Sequence, residues 1–102
     1  MGNRLALHNK LSETLGITNL YYQQPENYKL NYPCILYNQE VGDIKKANNK
    51  VYSYTKKYSV TCIYKTDNEN IILEMLESFE YCKLERTFVS DNLYHYIFTL
   101  YY

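Results

Sequence analysis

The sequence predicts a two-layer α+β domain, with two helices laid on one face of an antiparallel sheet of four or five strands. Three observations carry that prediction. The stretch from Val51 to Lys65, VYSYTKKYSVTCIYK, alternates with period two: Tyr52, Tyr54, Lys56, Tyr58, Val60, Cys62 and Tyr64 fall on one side, and mostly Ser, Thr and Lys on the other. Successive side chains of a strand point to opposite faces, so this is a half-buried strand, long enough that part of it is expected to bend or project. Two other stretches, Asn3 to Leu15 and Ile72 to Phe79, repeat every three to four residues, as one face of a helix does. Finally, the elements run in the order α-β-β-β-α-β-β, so hairpins separate the helices, as in two-layer α+β folds.

Taken from the amino terminus, Leu7, Leu11 and Leu15 step by four and Gly16 follows, a helix with a left-handed cap. His8 sits on the flank of that helix with no carboxylate or nucleophile near it in sequence, and is read as an edge histidine. Leu20-Tyr21-Tyr22 is a short strand, broken by Gln23 to Asn27, and a loop around Pro25 leads to Tyr32-Pro33, where trans is the expected peptide isomer. Cys34 to Val41 is the next strand. Gly42 to Lys50, GDIKKANNK, reads as a polar loop that makes a long hairpin tip before the central strand. Thr66-Asp67-Asn68-Glu69 resembles a capping box opening a helix whose apolar face is Ile72, Met75, Leu76 and Phe79. Beyond Tyr81, Cys82, Leu84 and Phe88 alternate, Ser90-Asp91-Asn92 turns, and Tyr94 to Tyr102 closes the chain. Arg86 interrupts the alternation and is expected at a sheet edge.

The 102 residues suffice for one domain with one core. Eleven basic and eleven acidic residues cancel, so no global field recruits nucleic acid or an anionic membrane. Aromatic side chains are chiefly tyrosine, 14 against three phenylalanines and no tryptophan. Low-GC coding enriches tyrosine without any function, yet its clustering on strands also suits protein interfaces. Cys34, Cys62 and Cys82 lie far apart in apolar strand contexts without CxxC or a histidine at ligand spacing, and read as buried reduced thiols with no metal. No run approaches the length of a membrane span or a signal peptide. The three glycines, at 2, 16 and 42, leave no phosphate loop, and no GxSxG, HExxH or DxDxDG occurs. Glu74, Glu77 and Glu80 form a solvated helix face, and Asp91 and His95 straddle a turn. The expectation is a protein that is not an enzyme, holds no cofactor and binds no specific nucleic acid.

Several phrases, Tyr32-Pro33-Cys34-Ile35, Ala47 to Tyr52, Tyr58 to Thr61, Asp91 to Tyr96 and Phe98 to Tyr102, resemble small proteins of the tail-gene clusters of long-tailed phages and prophages. The likeness runs from about Tyr22 to the carboxyl terminus, and with the order of elements it is similar to the tail terminator, or tail completion, family. That resemblance implies a structural virion protein that caps the tail tube as a ring, a hexamer by family habit. Its partners would be copies of itself, the tail tube protein and the head-tail connector protein, and it would be assembled in the bacterial host cytoplasm and end in the virion tail. Two alternatives stand beside it: a neck or head-closure connector, and a small cytosolic adaptor or regulatory domain of ferredoxin-like type. Asp43, Lys45, Lys46 and Lys50 in the loop, with Arg86, Tyr94 and Tyr96 near the last hairpin, are the expected contact residues.

Overall fold

The strands are β1 (Leu20–Tyr22), β2 (Cys34–Glu40), β3 (Ile44–Ala47), β4 (Lys50–Tyr54), β5 (Lys57–Tyr64), β6 (Tyr81–Ser90) and β7 (Leu93–Tyr101). Helix α1 (Arg4–Leu15) precedes them, and α2 (Asn70–Ser78) lies between β5 and β6. The computed structural model describes residues 4–23, 30–40, 44–47, 50–54 and 57–102. Five strands form one sheet in the order β1-β2-β5-β7-β6, and β3 and β4 pair as a separate ribbon. The class is α+β, and the helices with the strands of the main sheet follow the expected order α-β-β-β-α-β-β.

Two features of the sheet depart from expectation. Strand β1 pairs parallel to β2, with Leu20 beside Ile35 and Tyr22 beside Tyr37, so the sheet is mixed. Parallel neighbours need a crossover and not a tight turn, and the eleven residues between Tyr22 and Cys34 supply the length to bring the chain back to the start of the sheet. The second departure is in the supposed loop. Part of Gly42 to Lys50 is strand: Ile44 pairs with Tyr54 and Ala47 with Lys50, with a register shift between Lys45 and Lys46. The long central strand is correspondingly two strands, β4 in the ribbon and β5 in the sheet. The hairpin between the second and central strands does form, from Cys34 opposite Ile63 to Glu40 opposite Lys57. A polar, Lys-rich segment reads as loop because strand patterning is weak without apolar alternation, yet cross-strand pairing satisfies its backbone equally well. Asp43 and residues 48–49 lie outside the described residues.

Both helices cover the same face. Ile35 and Tyr37 of β2, Tyr58, Val60 and Cys62 of β5, and Tyr96, Phe98 and Leu100 of β7 meet Leu7 and Leu11 of α1 and Ile71 and Met75 of α2 in one buried cluster. The period-two reading of β5 is therefore correct for Tyr58, Val60 and Cys62, all wholly buried. Helix α1 ends as expected: Gly16 takes a positive φ of 65° and its N–H donates to Ser12 O at 2.8 Å. On the opposite face, among the described residues, Cys34 and Ile63 are buried, and side chains such as Leu36, Thr61, Ile97 and Thr99 are half-exposed.

Helix α2 departs from its sequence reading at its start and in its face. It begins at Asn70, and the residue before it, Glu69, makes no capping side-chain bond. The box of Thr66 and Glu69 does not form because the helix starts later and Asn68 N–H, one of the amides Thr66 was expected to cap, donates at 2.8 Å to the Tyr96 hydroxyl, which in turn donates to Asp67 Oδ1 at 2.7 Å. The buried face runs through Ile71, Met75 and Phe79, while Ile72 is only partly covered and Leu76 is 41% exposed. A nine-residue helix over a twisted sheet rotates to bury what its neighbours offer room for, and α1 takes part of that room.

In β6 the phase changes. Leu84 pairs with Phe98 but Arg86 with Ile97, so Glu85 is the extra residue of a bulge. Cys82 and Leu84 face the helices before it, and Thr87 and Val89 face that way after it. Phe88, expected to continue the apolar alternation, is consequently on the other face, stacked on His95 at 4.4 Å. The last hairpin turns through Asp91 and Asn92, with φ of 53° and 62°, as a two-residue turn demands. The Tyr32-Pro33 bond is cis, against the trans expectation.

Candidate interaction site

The expected contact residues divide between two places. Lys45 and Lys46 lie on β3 and Lys50 on β4, in the ribbon, whereas Arg86 lies on β6 and Tyr94 and Tyr96 on β7. Within the second group the roles differ. Arg86 is exposed and its guanidinium sits 5.0 Å from the Phe88 ring centroid, a cation–π contact at the sheet edge. Tyr94 is half-buried. Tyr96, 3% exposed, is a structural residue whose hydroxyl ties the start of α2 to the sheet and whose ring meets Tyr64 edge-on at 6.1 Å.

Between Asp67, Glu69 and Ile72 on one side and Thr87, Val89, Tyr94 and Tyr96 on the other is a half-open cavity of about 230 Å³. It exists because α2 is too short to cover the far end of the β6-β7 hairpin. Burial raises the Tyr96 phenol above its ordinary range, and its donated bond to Asp67 adds to this, so it stays a neutral donor. His95, weighed as a partner for Asp91, instead places Nδ1 3.0 Å from the Leu93 carbonyl oxygen, so that nitrogen donates there. His8 is engaged as well: its Nδ1 lies 2.7 Å from the Tyr37 hydroxyl, on a flank where Arg4 sits 4.6 Å over the Tyr22 ring.

The edge strand β6 is the largest exposed feature that sequence reasoning passed over. Eight of its ten residues are exposed, among them Tyr81, Phe88 and Val89, and among the described residues no strand pairs with one long side of its backbone. Lys83, Glu85 and Arg86 and the bulge are the devices that keep such an edge from indiscriminate pairing. The signal in sequence was the alternation that failed at Arg86. It marked an edge without revealing the bulge.

Among the described residues no three His, Cys, Asp or Glu side chains converge as a metal site requires. Among the same residues no helix is long and apolar enough to cross a membrane. The cysteines are free thiols, Cys34 and Cys62 buried and Cys82 half-buried. Comparison with protein-family models and with curated proteins finds no match.

Proposed function

We propose that this chain is a structural subunit of a phage-type tail, which assembles as a ring on the end of the tail tube and offers the surface to which the head connector joins. The reading rests on the sequence phrases that resemble the tail terminator family. The structural observation that supports it best is the ribbon: between Glu40 of β2 and Lys57 of β5, β3 and β4 form a separate sheet in which, among the described residues, they pair with each other. An isolated two-stranded hairpin is marginally stable in water, so a ribbon of this kind is most useful where a partner surface receives it. Its Lys45, Lys46 and Lys50 give that docking an electrostatic component. The same ribbon suits a neck or head-closure connector, whereas the ferredoxin-like adaptor reading calls for a split βαβ arrangement that this order of elements lacks.

Co-sedimentation with purified tail tubes tests the proposal. The parent chain is expected to pellet with tubes, and the double substitution Lys45→Glu, Lys46→Glu to stay in the supernatant while its melting temperature is nearly unchanged, as expected for a ribbon paired separately from the main sheet. A charge-reversed chain that pellets as well as the parent would remove the ribbon from the docking role.

A further inference from the structure

The bulge in β6 gives this edge a hidden two-fold symmetry. Before it, Cys82 and Leu84 point to the helix face and Tyr81 and Lys83 away; after it, Thr87 and Val89 point to the helix face and Phe88 and Ser90 away. Glu85 also faces away, because its carboxylate accepts from the Thr99 hydroxyl at 2.6 Å and Thr99 lies on the face opposite Phe98 and Leu100. An unbulged strand cannot place an odd-numbered residue opposite an even-numbered one on the same face. This one can.

From this pattern we propose that the free protein forms a two-fold dimer by antiparallel pairing of β6 with β6 of a second copy, centred between Glu85 and Arg86. In that register Leu84 meets the partner's Thr87 and Cys82 meets the partner's Val89, both on the helix side. Lys83 meets the partner's Phe88 and Glu85 meets the partner's Arg86, both on the other side. Every pair agrees in face. Sliding the partner by two residues one way sets Leu84 against the partner's Glu85, which face opposite sides, and Lys83 against the partner's Arg86, a like-charge contact; sliding it the other way sets Arg86 against the partner's Thr87, again on opposite sides, and leaves Glu85 unmatched to a cation. Face and charge together select the centred register, and symmetry forms the Glu85–Arg86 pair twice.

The dimer joins two five-stranded sheets into one of ten strands and keeps all four helices on one side. It covers Val89, which is 59% exposed in the single chain. It also brings the partner's Lys83 beside Phe88, whose ring already carries Arg86 at 5.0 Å. The two bulges lie opposite each other at the axis, so the kink that deters a flat foreign strand is matched by an identical one. Lys83 stands 3.5 Å from Glu85 in the single chain, with both side chains well exposed. Exchanging that contact for the partner's Arg86 costs little, because exposed ion pairs contribute little. An interface confined to one strand edge is small, so the dimer is expected to be weak and salt-sensitive. Being closed, it cannot propagate a ring, so its test is independent of the tail-capping reading.

Analytical ultracentrifugation of the isolated chain, without tubes, at low and high salt decides the matter. The parent is expected to show a monomer–dimer equilibrium that weakens with salt. Glu85→Arg and Arg86→Glu should each weaken dimerisation by about tenfold or more, since two attractive pairs become two like-charge contacts. The double variant Glu85→Arg, Arg86→Glu should recover most of the parent affinity, because the swap restores both pairs. Circular dichroism checks that each variant folds, and hydrogen exchange should show β6 amides gaining protection as concentration rises. A parent that stays monomeric at millimolar concentration, or a double variant as impaired as the single ones, would overturn the proposal.

Discussion

Tyr96 shows how one side chain settles several questions at once. Its ring is core, and its hydroxyl donates to Asp67 and accepts from Asn68 N–H. Tyr96→Phe removes the partner of a backbone donor and of a carboxylate, and should cost about 1–3 kcal/mol in urea unfolding with little change of slope. A loss near zero would mean that water replaces the hydroxyl. The cysteines make a second prediction at this scale. Burial raises the Cys34 and Cys82 thiols from the ordinary 9.0 to about 11, and Cys62 is raised further by its deeper burial. The unfolded chain therefore releases these protons at a lower pH than the folded one. The stability they represent is complete below about pH 9 and is lost as pH rises towards about 11. The buried phenols of Tyr37 and Tyr96 act in the same direction. Urea midpoints should fall across that window, and a midpoint that rises there would contradict the burial.

At the scale of elements, helix α2 tests which face is buried. Met75→Ala, at a wholly buried position, should cost about 2–5 kcal/mol. Leu73→Ala, at a position 61% exposed, should change stability by no more than about 0.5 kcal/mol. The last hairpin makes its own prediction: Asn92 holds a φ of 62°, so Asn92→Val should cost about 1–2 kcal/mol while Asn92→Gly is tolerated. These elements also show how far the sequence could be read. Period-two alternation from Tyr58 to Tyr64 and the leucines of α1 identified a strand and a helix, because burial on one face leaves a periodic mark. The Asp91-Asn92 turn was equally legible, since few residues accept left-handed φ. The capping box misled because Asn68 N–H, an amide Thr66 was to cap, is taken by the hydroxyl of Tyr96, 28 positions away, a choice that local spacing does not record. The bulge at Glu85 and the parallel pairing of β1 were hidden for the same reason. Both are decided by which strand lies alongside. Of the expected contact residues, Arg86 was placed at an edge correctly, but Tyr96 looked like a surface tyrosine because nothing in its neighbours' spacing foretells a buried hydroxyl bond.

The whole molecule presents one covered sheet face, one half-exposed face, a ribbon outside the sheet and a long edge strand. A subunit that works by contact with copies of itself and with a tube needs surfaces of this sort and no reaction centre. The tail-capping proposal is tested most directly by electron microscopy of tail tubes assembled with and without the purified chain. The expected result is tubes that carry, at the end where tube protein adds, a ring of added density with the tube's own rotational symmetry, and that grow no further when more tube protein is supplied. Tubes that remain bare and continue to elongate, with the chain left in solution, would contradict the proposal.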